Sequence, residues 1–476
     1  MRTKSLEGWK RKPDQLTILA GACGMKVIKK QYGVLLLLAV GMVLLTGAPM
    51  MRMHLLDSHD VSPQLGNDRG ITARLPGRIN HDFFHCDRSQ FRTDICNLRG
   101  DIRMETHNKS KSFVLYAQDA EERMEKLKPY TRKWEEGSMS TVNEVMLTSQ
   151  IASPNRRLPK CDVHHKVPGV IFSTGGYTGN LYHEFNDGLI PLFITSQHLR
   201  REVVVIISSF HDWWYTKYQD VVGQISKYKL IDLDSDKRVH CFPEIEAGLH
   251  IHGELCVNPN RMPNRETIGD FRELLNRAYK PASPREEAQI SQRYQDQKLR
   301  LTIIVRKKTR KFMNLDKIVQ LGEQLGFKVN LLSPGPATEL KKIYWLLNNT
   351  DVLLGVHGAA MTHFLFMRPG TVLIQVVPLG TDWAANEYYG EPAVKLGLRY
   401  LPYKIIPEES SLSDKHNATD PVLVDPDSIT QQGWESVKKI YLEGQDVRPS
   451  LPRMREVLTQ AKSAVKESSK PRADRQ

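Results

Sequence analysis

The chain has 476 residues, 67 of them basic and 54 acidic, for a formal net charge of +13. That excess sits at the ends: residues 1–53 carry +7, residues 449–476 carry +4, and residues 54–448 carry +2. A nearly neutral body with ordinary apolar and charged fractions excludes a nucleic-acid binder and a fibrous or mostly disordered chain, and allows about two domains. Six cysteines are too few for a disulfide scaffold.

In chain order, residues 1–31 form a basic tail and residues 32–50 read YGVLLLLAVGMVLLTGAPM, without a charge. At about 1.5 Å per residue such a run nearly crosses a hydrocarbon core about 30 Å thick. Lys26, Lys29 and Lys30 precede it, with Lys10, Arg11 and Lys12 upstream, and Arg52 follows. The positive-inside bias then predicts a type II signal anchor with the body in the lumen. A cleaved signal peptide ending near Gly47-Ala48-Pro49 and a buried helix are the competing readings. Residues 51–80 suit a polar stem. Lumenal exposure makes acceptor triplets of Asn108, Asn348 and Asn417. Cys86 with Cys96 and Cys241 with Cys256 are the locally convenient disulfide pairings, and connectivity stays open.

The body reads as α/β. In the first half, strands are expected at 169–173, 203–208, 239–242 and 248–251, with helices at 181–197, 214–226 and 265–279. The charged run 281–297 is the expected connection between lobes. The second half alternates regularly: strands at 301–307, 327–332, 351–356 and 371–377, and helices at 314–325, capped by Asn314, at 337–348 and at 359–367. Near-continuous apolar strands separated by helices predict a parallel sheet covered on both faces, with its crevice at the strand carboxyl ends. Two Rossmann-like lobes facing a cleft, residues 81–297 and 298–447, are the economical architecture. A helix at 433–442 would pack back across the boundary, and 448–476 reads as a polar basic tail.

Three stretches carry candidate chemistry. His357-Gly358-Ala359 follows an apolar strand and opens a helix, where free N–H groups hold phosphate. Arg306 and Arg310 follow the neighbouring strand toward the same crevice. Residues 172–193 combine a Gly-rich turn with Tyr182, His183, Glu184, Asn186 and Asp187. His183 and Asp187, four apart on a helix, share a face, so one can deprotonate a hydroxyl while the other orients it. Glu184 points elsewhere but is kept as a candidate. His211, Trp213 and Trp214 offer an aromatic platform for a sugar ring. Residues 375–393 place Thr381, Trp383 and Glu387 at the crevice edge, a carboxylate for ribose hydroxyls and an indole for a base. The sequence has no GxGxxG or GxxxxGK[ST] phosphate cradle and no HExxH zinc motif. Asp232, Asp234 and Asp236 form a DxDxD pattern suited to Mg²⁺ or, equally, to an exposed turn.

Taken in order, GGYTGNLYHEFNDGLIPLF, HCFPE at 240–244, HGEL at 252–255, VHGAAMTHFLFMRPG at 356–370 and QVVPLGTDWAANEYYGEPA resemble the plant Golgi glycosyltransferases of family 61, the group that decorates xylan. The resemblance covers residues 81–447. It implies a GT-B-like, single-pass type II Golgi membrane enzyme that inverts a UDP-sugar donor and transfers a pentose to a xylan or xylo-oligosaccharide acceptor. No tightly bound cofactor and no metal are implied, and association with other xylan-synthesising enzymes is a further expectation. The C-terminal lobe would bind the nucleotide through Arg306, Arg310, His357, Gly358 and Glu387. The N-terminal lobe would supply the base, Asp187 or His183, and closure of the cleft would exclude water. UDP-L-arabinofuranose giving an α-1,3 branch is the first donor expectation and UDP-xylose giving a β-1,2 branch the second. An inactive lumenal glycan-binding scaffold is the alternative of another class, separated by measuring sugar transfer.

Overall fold

The computed structural model describes residues 83–105, 111–117, 121–152, 157–294 and 297–468. The expected tail, anchor and stem, and Asn108, lie outside the described residues. No described helix is long and apolar enough to cross a membrane.

Residues 84–247 build a mixed sheet of ten strands: β1 (Phe84–Asp87), β2 (Ile95–Glu105), β3 (Ser112–Ala117), β4 (Arg123–Leu127), β5 (Val145–Ile151), β6 (Val163–His164), β7 (Gly169–Ser173), β8 (Val204–Ser208), β9 (Ile231–Asp232) and β10 (His240–Ala247). Their order is β4-β5-β3-β2-β10-β7-β8-β9, with β1 beside β2 and β6 beside β10. The parallel half was legible because β7 and β8 are buried at every position. The β1–β5 half was not: β2 and β4 carry Arg99, Asp101, Arg103, Arg123 and Glu125, charges that mask the alternation. This lobe is therefore a parallel sheet with a large, mostly antiparallel extension. The strand expected at 239–242 runs on to Ala247 as β10, whose register shifts between Phe242 and Glu244. Pro243 between them supplies no ladder N–H, which explains both the bulge and the misreading. Gly248 then turns the chain at φ +95°, where a Cβ would stand 2.1 Å from the Asp94 carbonyl oxygen, so 248–251 is not strand.

The second sheet is β11 (Arg300–Ile304), β12 (Lys328–Leu332), β13 (Val352–Val356), β14 (Val372–Val377) and β15 (Arg399–Lys404), all parallel in the order β12-β11-β13-β14-β15. The edge strand β15, alternating and half polar, escaped the sequence reading. The chain order reverses between β11 and β13, so the ligand crevice of such a sheet opens at their carboxyl ends.

Several local expectations are corrected. Asn314 does not cap its helix (Leu315–Gln324); its amide donates to the Pro449 carbonyl at 2.8 Å. The run 281–297 contains a helix, Pro284–Arg293, because the Ser283 hydroxyl accepts from Glu286 N–H and Pro284 sits where no N–H is needed. The segment expected as a basic tail holds the helix Leu451–Ser468, which buries Met454, Leu458, Ala461 and Val465 against the second sheet. That stripe has helical spacing, but its charged surroundings hid it. Val437 and Tyr441 likewise pack on the second sheet's own core rather than crossing the boundary. Disulfides join Cys86 to Cys96 and Cys161 to Cys241. Cys256, expected with Cys241, is buried outside both bridges, because Cys241 lies opposite His164 in the β6–β10 pairing, three residues from Cys161.

The two bridges close sequence separations of 10 and 80 residues. Loop-closure entropy predicts that Cys161→Ser lowers the urea midpoint of the folded chain more than Cys86→Ser, each cost being on the order of 2–4 kcal/mol.

Candidate active site

The helix that begins at Leu181 is capped by Asn180, whose side chain accepts from Tyr182 N–H at 3.1 Å. From Glu184 to Leu189 it widens into a π turn before regular helix resumes at Ile190–Ser196. Pro191 has no N–H to offer the Asp187 carbonyl, which instead accepts from the Thr131 hydroxyl at 3.1 Å. The Asp187 side chain is fully buried. Its Oδ2 accepts from Arg132 Nε at 2.7 Å and His183 Nδ1–H at 2.7 Å; its Oδ1 accepts from Asn186 Nδ2 at 2.9 Å and Arg92 Nη2 at 3.2 Å. Burial pushes this carboxyl up, but Arg132, His183 and Arg92 together outweigh it and hold it down to about 2. An ionised Asp187 accepts, so His183 carries a proton on Nδ1. The imidazole is stacked on Tyr177, with ring centroids 4.2 Å apart, and meets the edge of Tyr182.

Glu254 extends the network: it accepts from Arg92 Nη1 at 2.6 Å and from the Tyr182 hydroxyl. Tyr182 and Asn186, expected to bind the acceptor, are thus internal. Tyr182 is buried on Glu254, and Asn186 accepts from Leu255 N–H at 2.7 Å while holding Asp187. Glu184 is not free for chemistry. It accepts from Gly179 N–H at 2.6 Å, the Thr178 hydroxyl and Trp214 Nε1, which braces the Gly-rich turn. Trp214 is core beneath it, so the expected platform reduces to exposed Trp213 with His211 at its edge. Among the described residues, no ring or hydrogen-bond contact links that pair to His183.

On the second sheet, His357 follows β13 and donates its N–H to the Val376 carbonyl at 3.0 Å. Gly358 has φ +143°, and a Cβ there would stand 2.5 Å from Arg306 Nη1, so glycine lets the guanidinium lie on the backbone. Arg306 donates through Nε to the Thr309 carbonyl at 2.8 Å, and Arg310 through Nη1 to the His357 carbonyl at 3.2 Å. Among the described residues neither makes a salt bridge, and Arg310 Nε is buried without a partner. Burial lowers both, Arg310 to about 10 with the neighbouring Arg306 adding repulsion. His357 is held down to about 3 by burial and then by Arg310 and Arg306, so it is neutral. The Tyr400 hydroxyl donates to Gln375 Oε1 at 2.8 Å and Gln375 Nε2 donates to His357 Nδ1 at 2.9 Å, leaving the proton of His357 on Nε2. Gln445 ties the crevice loops together: its carbonyl accepts from Arg310 N–H at 2.9 Å and its side chain accepts from Leu379 N–H at 3.0 Å. Ala359 opens the short apolar helix expected here, which is a 3-10 helix, Ala359–Phe366.

The third stretch forms a helix with its own π turn, Asn386–Gly390, followed by Pro392. Thr381 is buried and donates to the Pro378 carbonyl at 2.8 Å, a turn contact rather than an open ligand. Trp383 is exposed and meets Tyr388 edge to face at 5.6 Å. Glu387 is half-buried; burial and then the charges of Glu254 and Glu391 raise it, and among the described residues it makes no salt bridge to Arg306 or Arg310. Tyr389 joins the two halves, 5.4 Å from the His357 ring and 6.0 Å from Tyr182, while Tyr388 lies 5.4 Å from Tyr182.

Sequence reasoning missed Arg92, Arg132, Tyr177, Glu254, Gln375, Tyr389 and Gln445. Gln375, polar within an apolar strand, carried a readable signal; Arg92 and Arg132 lie in irregular loops and carried none. Asp232, Asp234 and Asp236 are consumed locally: Asp232 accepts from Asp234 N–H and Asp234 from Phe210 N–H, while Asp236 pairs with Arg238 and His240. Among the described residues, Cys161, His164 and Cys241 have metal-ligand spacing, but both sulfurs are in a disulfide. Of the acceptor triplets, Asn417 is exposed, whereas Asn348 accepts from Arg272 Nη2 at 2.6 Å.

The sequence model of a family described as Glycosyltransferase 61 matches residues 181–374, from the His183 helix to β14. The chain is 50% identical over 389 residues to the xylan glycosyltransferase MUCI21 of Arabidopsis thaliana, covering 79% of this chain and 78% of that one. It is 37% identical over 379 residues to the alpha-1,3-arabinosyltransferase XAT3 of Oryza sativa subsp. japonica, covering 79% and 64%. It is 38% identical over 406 residues to the beta-1,2-xylosyltransferase XYXT1 of the same organism, covering 80% and 84%.

Because the folded pKa of Asp187 lies below its ordinary 3.8, its ionisation stabilises the fold above pH 3.8 and that contribution is lost as pH falls toward 2. Asp187→Asn is therefore expected to cost at least about 2 kcal/mol at pH 7. Urea titrations at several pH values should show the gap from wild type narrowing below pH 4.

Proposed function

The chain belongs to the glycosyltransferase 61 family and is a glycosyltransferase; from that premise we propose an inverting pentosyltransferase that acts on xylan or xylo-oligosaccharides with a UDP-pentose donor. In this reading the molecule is GT-B-like, the first lobe holding acceptor and the second holding nucleotide. The observation that carries it is the pair Arg306 and Arg310, part-buried at the switch point with no carboxylate partner among the described residues. Two uncompensated guanidinium groups there call for an anion, and a diphosphate supplies it.

The acceptor hydroxyl gives its proton to His183 Nε2 while its oxygen attacks the anomeric carbon and the bond to UDP breaks on the opposite face. One displacement inverts the centre. Asp187, whose low pKa and full burial make it a poor base, accepts the Nδ1–H bond and stabilises the imidazolium. Arg306, Arg310 and the Nε2–H of His357 balance the charge gathering on UDP. Relatives named for arabinosyl and for xylosyl transfer are 37% and 38% identical, so identity does not rank the donors. UDP-L-arabinofuranose with an α-1,3 product stays first and UDP-xylose with a β-1,2 product second. No bound metal is required in this mechanism, and a single-pass type II Golgi location remains part of the proposal.

Purified full-length chain incubated with a panel of UDP-pentoses and xylo-oligosaccharides, followed by linkage analysis, tests the reading; no transfer to any of them would favour an inactive glycan-binding scaffold. His183→Ala should lose about 10²–10⁴-fold in kcat while still binding UDP, and a loss under tenfold would place the base elsewhere. His357→Gln should raise the KM for donor without moving either limb of the pH profile, because His357 is neutral throughout pH 5–8. Lumenal topology predicts endoglycosidase sensitivity that falls by one glycan in Asn417→Gln; no sensitivity in the wild type would count against the orientation.

A further inference from the structure

Beside the His183 site the first lobe carries an exposed run of flat side chains that the displacement mechanism does not use. Phe91 and Trp134, 58% and 39% exposed, stack with centroids 4.9 Å apart and planes 19° from parallel. The Arg132 guanidinium lies 5.5 Å from the Trp134 ring and 5.7 Å from that of Tyr177, which is 40% exposed and stacks on His183 at 4.2 Å. The strip is held in shape: Lys133 N–H donates to the Arg92 carbonyl at 3.2 Å, joining the loop of Phe91 to that of Trp134.

Large exposed rings fixed in a row mark a binding surface, since solitary exposure would need no such ordering. The charges under the row decide what it binds. Arg132 is neutralised by Asp187 and Glu135, and Arg92 by Asp187 and Glu254, so the strip offers no spare positive charge to a nucleotide or another polyanion. A neutral polymer with apolar ring faces and hydroxyl edges fits, and the strip ends where the hydroxyl must be deprotonated.

Resting on the pentosyltransferase reading above, we propose that Phe91, Trp134 and Tyr177 form an acceptor track on which successive pyranose rings of a β-linked xylan chain stack, delivering one residue to His183. Phe91 and Trp134 take rings remote from the reacting sugar, and Tyr177 takes the ring next to it. The track therefore sets a preference for long acceptors over short ones.

The test compares kcat/KM for xylohexaose and xylobiose in the full-length enzyme. Trp134→Ala and Phe91→Ala should each cut the long-to-short ratio by about tenfold, the equivalent of one stacked ring. Trp134→Phe should keep most of it, and Trp434→Ala, at an exposed position in the helix Trp434–Val437 of the second lobe, should leave it unchanged. A ratio within twofold of wild type in both alanine variants would overturn the track, as would a rise in long-acceptor affinity, which would mean that another segment covers the strip. A wild type that transfers to xylo-oligosaccharides without length preference also overturns it. A wild type inactive on all of them rejects the xylan reading itself and removes the occupant with it.

Discussion

A carboxyl group as buried as Asp187 would ordinarily rise in pKa and go neutral; here two arginines, a histidine and an amide keep it ionised. Much of the first lobe's site follows from satisfying that one charge. Arg92 and Arg132 are drawn in from separate loops, the histidine is fixed in one tautomer, and Asn186 is spent on orientation. The π turn at Glu184–Leu189 is part of the same solution, because Pro191 already releases the Asp187 carbonyl and Thr131 takes it up. The second charge in the network, Glu254, has a similar effect on Tyr182, which then faces Tyr388 and Tyr389 of the other lobe. A constraint that begins with one oxygen therefore reaches the interface.

That interface is apolar. One core cluster contains Phe185, Phe193, Trp214 and Phe271 from the first lobe together with Met361, Phe364 and Phe366 from the second. Arg272 is buried across it, donating to the Met367 carbonyl and to Asn348. Lobes that share a continuous core resist the rocking that a small polar interface would permit.

The regular parts of this architecture were legible because buried parallel strands and amphipathic helices repeat with fixed periods. The His183–Asp187 pair was legible for the same reason, since four residues apart on a helix is a face. What was lost lay where period fails: the charged antiparallel strands β2 and β4, the bulge at Pro243, and the helix Leu451–Ser468, whose apolar stripe is diluted by lysine and arginine. The supporting residues were lost for a different reason. Arg92, Arg132 and Glu254 are 40, 122 and 162 residues apart in pairwise separation and acquire meaning only as partners of a group the sequence places elsewhere. Trp214 shows the converse error, an aromatic pair in which only Trp213 faces solvent.

The two sides of the site differ in how their charge is balanced, and the difference matches a division of labour. Around His183 each arginine meets carboxylates of the same chain, so the surface suits a neutral ring and the stored charge serves to aim an imidazole. At the β11–β13 switch point the arginines have backbone and hydroxyl partners instead, and burial already lowers their pKa values. Leaving a guanidinium in that condition is costly in the free protein. The cost is relieved when an anion arrives, and relieved most when negative charge peaks, as it does on a departing diphosphate. In the proposed reaction, a site with carboxylates on both sides would bind such a leaving group no better in the transition state than before it; the asymmetry would couple charge release to bond breaking.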